Sequence, residues 1–271
     1  MNTHFGDWHV HTTFSSDSEC PMDAMIQQAI HLGLTSICIT DHNDYDYPEY
    51  EEDGTMMFQL NMNAYIAAVA AVKEKYAGQI DIYTGVEQGL QPHLNERINS
   101  FNYPLDFIIG SSHLVNGADP YYPEFWEGRD SNEIITQYFD SILENLSVCT
   151  NFDVYGHLDY IIRYAPNQDT NYDWTHYQEH IDNILKTLIQ SGKGIEINTG
   201  GLKYGLKETN PCYGILHRYH ELGGEIITIG SDAHKSEHLA YDFHLIPDIL
   251  KNAGFNYYTI FKNRKHKFIK L

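Results

Sequence analysis

Seven short apolar runs alternate with segments of helical periodicity, and this rhythm restricts the chain more than any other feature. The runs are Phe5–His11, Ser36–Thr40, Ile80–Val86, Phe107–Gly110, Val154–His157, Gly194–Asn198 and Ile226–Gly230. Helical patterns fall between or after them at Met22–Leu32, Asn61–Tyr76, Asn132–Leu146, His176–Gln190, Tyr213–Leu222 and Glu237–Asn252. Such alternation marks βα units around a parallel sheet. Gly33 supplies the C-terminal stop of the first helix. Seven strands with crossover helices predict a closed or nearly closed α/β barrel. No Gly-x-Gly-x-x-Gly follows the first strand and no Gly-Lys-Ser/Thr loop occurs, so a dinucleotide fold or a phosphate-loop fold is not expected. The 271 residues suit a single domain, 1–271.

In a parallel barrel the C-terminal ends of the strands form the face where chemistry collects. Period-two geometry sends His9 and His11 to one face of the first strand. The second run ends Thr40-Asp41-His42, and the third ends Gly85-Val86-Glu87. The fourth ends Ser112-His113, the fifth Gly156-His157, and the seventh Ser231-Asp232-Ala233-His234. Six of seven strand ends therefore carry His, Asp or Glu of metal-ligand type. One such ending is cheap, but six at one topological position predict a metal centre. The set exceeds the three protein ligands of a mononuclear catalytic zinc, so two or three divalent ions are expected, with Glu87 as the bridging carboxylate. The long connections 43–60 and 114–131 would wall this face.

The formal net charge of −20, with only 17 Lys and Arg, leaves no basic track for a nucleic-acid backbone. Cys20, Cys38, Cys149 and Cys212 are scattered, as expected of reduced thiols rather than a disulfide framework. No apolar run reaches the roughly 18 residues that span a bilayer, and no cleavable leader pattern is visible at the N-terminus. A cytoplasmic location with no membrane partner is expected, and the sequence leaves the oligomeric state open.

Taken together, His9-x-His11-Thr12, Ser16-Asp17-Ser18, Thr40-Asp41-His42, Gly85-Val86-Glu87, Ser112-His113, Gly156-His157 and Ser231-Asp232-Ala233-His234 resemble the PHP (polymerase and histidinol phosphatase) family. The match spans nearly the whole chain. Chain length and the stretch Glu196-Ile197-Asn198-Thr199-Gly200-Gly201-Leu202-Lys203 resemble its histidinol-phosphate phosphatase branch. The resemblance implies a distorted (β/α)7 TIM-like barrel with a trinuclear centre. It would give His9, His11, Glu87 and Asp232 to one metal, Glu87, His113 and His157 to the second, and Asp17, His42 and His234 to the third. Some relatives carry His where Asp17 stands, and the harder carboxylate shifts preference from zinc toward manganese or iron.

The implied activity is that of a phosphoric monoester hydrolase in histidine biosynthesis, converting L-histidinol phosphate to L-histidinol and inorganic phosphate. A metal-bridging hydroxide would attack phosphorus, with Asp232 as proton acceptor and a metal water or His234 as candidate proton donor to the leaving group. Arg163 and Lys203 are the candidate phosphate cations. Asp44, Tyr45, Asp46 and Glu51 are candidates for the substrate's ammonium and imidazole. His4, His93, His176, His180, His217, His220, His238, His244 and His266 are expected away from the site, and the basic run 262–267 is expected to be a solvated terminal strand. Competing expectations are a PHP nucleotide phosphoesterase or nuclease, an amidohydrolase-type hydrolase, and a non-catalytic metal-binding module. The amidohydrolase reading is disfavoured because no Lys stands near His113.

Overall fold

In the computed structural model, which describes residues 5–49, 54, 56–168 and 170–271, the seven expected runs pair as one curved parallel sheet. Its strands are β1 (Asp7–Val10), β2 (Ser36–Ile39), β4 (Asp81–Gly89), β5 (Phe107–Ser111), β6 (Val154–Tyr155), β7 (Gly194–Asn198) and β8 (Ile227–Gly230), in that spatial order. A two-residue strand, β3 (His42–Asn43), continues β2 after a break and pairs with β4. The first and last barrel strands meet through His11 N to Ala233 O and Asp232 N to His9 O, both 2.9 Å. These bonds nearly close the sheet, so the molecule is a distorted (β/α)7 TIM-like barrel.

The helices form the outer layer because each presents one apolar stripe to the sheet. In α1 (Met22–Leu32) that stripe is Met22, Met25, Ile26 and Ala29, and Gly33 ends the helix in a left-handed turn at φ 73°. Two expected helices differ from their patterns. The segment 237–252 breaks into short 3₁₀ turns at Ser236–His238 and Phe243–Leu245 before a helix over Ile246–Ala253. Pro247 explains the break, since its ring suits a first helical turn and clashes in an interior one. The segment 176–190 begins as a 3₁₀ turn, Trp174–Tyr177, and is α-helical over Gln178–Gln190.

Trp8, Cys38, Phe107, Ile109, Val154, Ile226 and Phe261 form a separate buried cluster. Phe261 enters it from an antiparallel hairpin, β9 (Tyr257–Lys262) with β10 (Lys265–Lys270), and stacks 4.9 Å from Phe107. The basic run therefore forms a hairpin, and Arg264 is not merely solvated. Its guanidinium Nε meets Asp153 Oδ2 at 2.6 Å, and its backbone N–H donates to Asp106 O. Truncating Phe261 to Ala leaves a cavity and is expected to cost about 3–5 kcal/mol. For a chain of this size that lowers Tm by on the order of 10 °C. A thermal-denaturation shift below about 2 °C would remove Phe261 from the core argument.

Candidate metal centre

β4 carries Glu87 into the middle of the barrel mouth rather than to its own end, because β3 pairs with it as far as Gln88 and β5 as far as Gly89. Glu87 is fully buried, and five imidazoles approach its two oxygens. Oε2 lies 3.1 Å from His9 Nε2, 3.4 Å from His11 Nε2 and 3.0 Å from His42 Nδ1. Oε1 lies 3.1 Å from His113 Nε2 and 2.9 Å from His157 Nε2, and accepts the Ser111 hydroxyl at 2.7 Å. Asp232 stands at φ 54° just past β8, with Oδ1 3.4 Å from His11 Nε2 and 3.7 Å from both His9 Nε2 and His234 Nδ1. Asp17 reaches the group from the loop after β1, 3.0 Å from His234 Nε2 and 3.7 Å from His42 Nε2. All nine sequence-predicted ligands are thus brought together.

Their charges are strongly coupled. Burial alone would protonate Glu87, but the imidazoles of His9, His113 and His42 outweigh it and hold the carboxyl well below its ordinary range. The same opposition, with His9 and Arg163 as counter-charges, keeps Asp232 ionised. Burial pushes His9 toward its neutral form, yet Glu196, Glu87 and Asp232 hold it well above the usual imidazole value. His113 rises to about 10, where Asp44 and Glu87 overcome burial. His11 moves the other way, depressed by burial and by the neighbouring His234 and His42. The carboxylates draw positive charge into the cluster, and a cation would satisfy them as protons do.

The donor set fits divalent ions. His9 Nε2, His11 Nε2, His42 Nδ1, Glu87 Oε2 and His234 Nε2 are buried and lack any hydrogen-bond partner, an arrangement that costs free energy unless something pairs with them. Two ligands at about 2.1 Å from one tetrahedral cation lie about 3.4 Å apart, which is the spacing seen around Glu87 and Asp232. Four triads offer ligand atoms close enough to share an ion: His9-His11-Asp232, His9-Glu87-His157, His42-Glu87-His113 and His11-His42-His234.

Surrounding groups aim these ligands. His9 Nδ1 meets Glu196 Oε1 at 2.7 Å, and His113 Nδ1 meets Asp44 Oδ1 at 2.7 Å. Gly230 permits the first contact, since a Cβ there would overlap both His9 and Glu196. Gly89 likewise leaves the space that Asp44 fills. Outer partners of this kind typically govern metal affinity by about 10–100-fold. Glu196→Gln is expected to weaken zinc binding by that factor; wild-type affinity in a competition titration would exclude the orienting role. Period two on β7 puts Glu196 and Asn198 on one face, a signal that could have revealed both.

Above the cluster lies a cavity of about 700 Å³. Arg163, Lys203, Asp44, Asp119 and six tyrosines, Tyr47, Tyr121, Tyr122, Tyr160, Tyr164 and Tyr204, line it. Arg163 is 4% exposed, so it is no surface ion pair. It donates to Asp232 Oδ2 (2.6 Å), Asn198 Oδ1 (2.8 Å) and Asn210 Oδ1 (2.8 Å). Lys203 Nζ donates to the Asp232 carbonyl at 2.9 Å, and burial lowers its ammonium pKa. Of the candidates for the ammonium and imidazole, Asp44 lines the cavity, whereas Tyr45 stacks under Arg97 and Asp46 pairs with His93. Glu51 and His4 lie outside the described residues. His238, expected elsewhere, lines the wall beside His234. The tyrosines escaped sequence reading because they come from four separated loops with no shared spacing.

Comparison with known proteins agrees with this geometry. The family model described as PHP domain matches residues 7–200. A histidinol-phosphatase of Lactococcus lactis is 30% identical over 96% of this chain and 95% of its own. A probable histidinol-phosphatase of Clostridium acetobutylicum is 33% identical, covering 88% and 89%. The crystal structure of the Lactococcus lactis histidinol phosphate phosphatase, complexed with zinc, L-histidinol and phosphate, superposes with a TM-score of 0.87 at 29% identity over 97% of this chain and 99% of that one. Among the described residues no helix is long and apolar enough to cross a membrane.

Proposed function

Because the chain belongs to the PHP domain family, we propose that it is a metal-dependent phosphatase that hydrolyses L-histidinol phosphate to L-histidinol and inorganic phosphate. The observation that carries this reading is the convergence of buried, unpartnered imidazole and carboxylate atoms on the floor of a cavity walled by tyrosines and carboxylates. The floor suits a phosphoryl group bound through cations, and the wall suits an organic portion that is both aromatic and cationic. A histidinol-phosphatase at 30% identity and a probable histidinol-phosphatase at 33%, over 96% and 88% of the chain, support the same substrate.

His9, His11, Asp17, His42, Glu87, His113, His157, Asp232 and His234 would hold two or three divalent ions. Zinc is supported by the Lactococcus lactis complex, while the Asp17 carboxylate suits manganese or iron. Bound there, the ions would supply acidity to a water and positive charge to the phosphoryl oxygens. The chain's own part is orientation and proton placement. Arg163 pins one oxygen of Asp232 and leaves the other toward the cluster. Five guanidinium donors, three of them engaged, leave Arg163 two for phosphate. Lys203 stands beside it with an ammonium whose proton is loosened by burial. His234 lies between cluster and cavity with Nδ1 tied to the Asp232 carbonyl at 3.0 Å; it would serve as proton donor to the leaving group only with its Nε2 free of metal, and as a ligand it would leave that role to a water. The cavity cations Arg163, Lys203 and Lys235 stand beside Asp17, Asp44, Asp119 and Asp232, so a small monoester fits better than an oligonucleotide. The reading includes a cytoplasmic setting.

The test is phosphate release from L-histidinol phosphate, beside a panel of nucleotides, after reconstitution with zinc, manganese or iron. Release from histidinol phosphate well above every nucleotide is expected. Activity confined to nucleotides would keep the metal chemistry and overturn the substrate, and inactivity on every ester with metal bound would overturn the phosphatase reading.

A further inference from the structure

The loop between β1 and α1 buries the Ser15 hydroxyl where it meets three groups. Ser15 Oγ donates to Asp41 Oδ1 at 2.7 Å, accepts the His42 backbone N–H at 3.0 Å, and lies 3.1 Å from His11 Nδ1. Asp41 is fully buried and also accepts the Thr12 backbone N–H at 2.6 Å and the Thr12 hydroxyl at 2.8 Å. Proton counting leaves one arrangement. An ionised carboxylate only accepts, so the single Ser15 proton goes to Asp41. The backbone of His42 fills one Ser15 lone pair, and the other remains for a proton on His11 Nδ1. Neutral His11 must then carry its proton on Nδ1 and present the Nε2 lone pair to the cluster, 3.4 Å from oxygens of Glu87 and Asp232.

We propose that Ser15 is a positioning residue that ties the tautomer of His11 and the backbone position of His42 to one carboxylate, Asp41. The two imidazoles, stacked with ring centres 4.2 Å apart, are thereby delivered to the metal centre as one preset unit. Histidines just past β1 and on β3, which belong to different βα units, are locked in register by a side chain that touches neither metal nor substrate. Burial lifts Asp41 above the usual carboxylate range, but its three donors favour the ionised form that this proton order requires.

The inference rests on the metal reading of the centre and is independent of the substrate. The experiment uses the full chain and zinc as the probe. In wild type, long-range ¹⁵N–¹H spectra of the histidine rings should show His11 protonated on Nδ1. Equilibration at buffered free zinc should show Ser15→Ala binding at least one ion about 10–100-fold more weakly than wild type, with Ser15→Thr, which keeps the hydroxyl, recovering most of the loss. A wild-type His11 protonated on Nε2 overturns the proposal without any variant, which covers a Ser15→Ala chain that fails to fold. Equal zinc affinity of wild type and folded Ser15→Ala also overturns it. Failure of wild type itself to bind zinc overturns the metal reading and this inference with it, whereas loss of phosphatase activity on histidinol phosphate alone touches only the substrate.

Discussion

Glu87→Gln is expected to lose phosphatase activity by on the order of 10³-fold or more, because even outer partners of metal ligands are worth roughly 10–100-fold. The change keeps the shape and removes the one negative charge that five imidazoles face. An amide cannot bridge cations as a carboxylate does, and its NH₂ would point at ring nitrogens that need their lone pairs for metal. Metal analysis of the purified variant should find fewer bound ions than wild type, with the fold retained by circular dichroism. Wild-type metal content together with wild-type turnover would remove Glu87 from the centre of the site.

Arg163→Met is the second large effect and acts first on stability. Asp232 is buried, and its Oδ2 has the Arg163 guanidinium at 2.6 Å. Removing one partner of a buried ion pair leaves an uncompensated charge, at a cost of about 3–5 kcal/mol. The metal-free variant should therefore melt on the order of 10 °C below metal-free wild type. Bound cations would compensate part of the loss, so the gap should narrow in the metal-loaded proteins. Equal Tm values for the metal-free pair would mean that Asp232 is stabilised by its imidazole neighbours alone. Activity of the loaded variant should also fall, since the guanidinium's two remaining donors are the proposed hold on phosphate.

Much of this architecture was legible in the chain because each βα unit is locally marked. Apolar runs predicted all seven principal strands, and Gly33 ended α1 at its observed boundary. The metal-type residues were legible for the same reason, since period two and strand ends fix their direction. What local pattern could not supply was partnership across units. Asp44 orients His113 from 69 residues away and Glu196 reaches His9 across 187, and no spacing rule relates such positions. Arg163 was recognised as a cation near the mouth, but its burial depends on Asn198, Asn210 and Asp232 converging from three later segments. The helix expected over 237–252 failed because apolar periodicity outweighed the stop that Pro247 imposes.

The seam between β1 and β8 also sets an order in time. His9 and His11 leave the ribosome more than two hundred residues ahead of Asp232 and His234. At about 5–20 residues per second, the early imidazoles wait on the order of ten seconds or more for their carboxylate partners. During that interval a nascent fragment already holds His42, Glu87 and His113, but the triads that need Asp232 or His234 are completed only once β8 has emerged. Completion of the whole centre is therefore a late event of synthesis. A truncated product ending before residue 232 would leave the barrel seam open and the His9-His11-Asp232 and His11-His42-His234 triads incomplete.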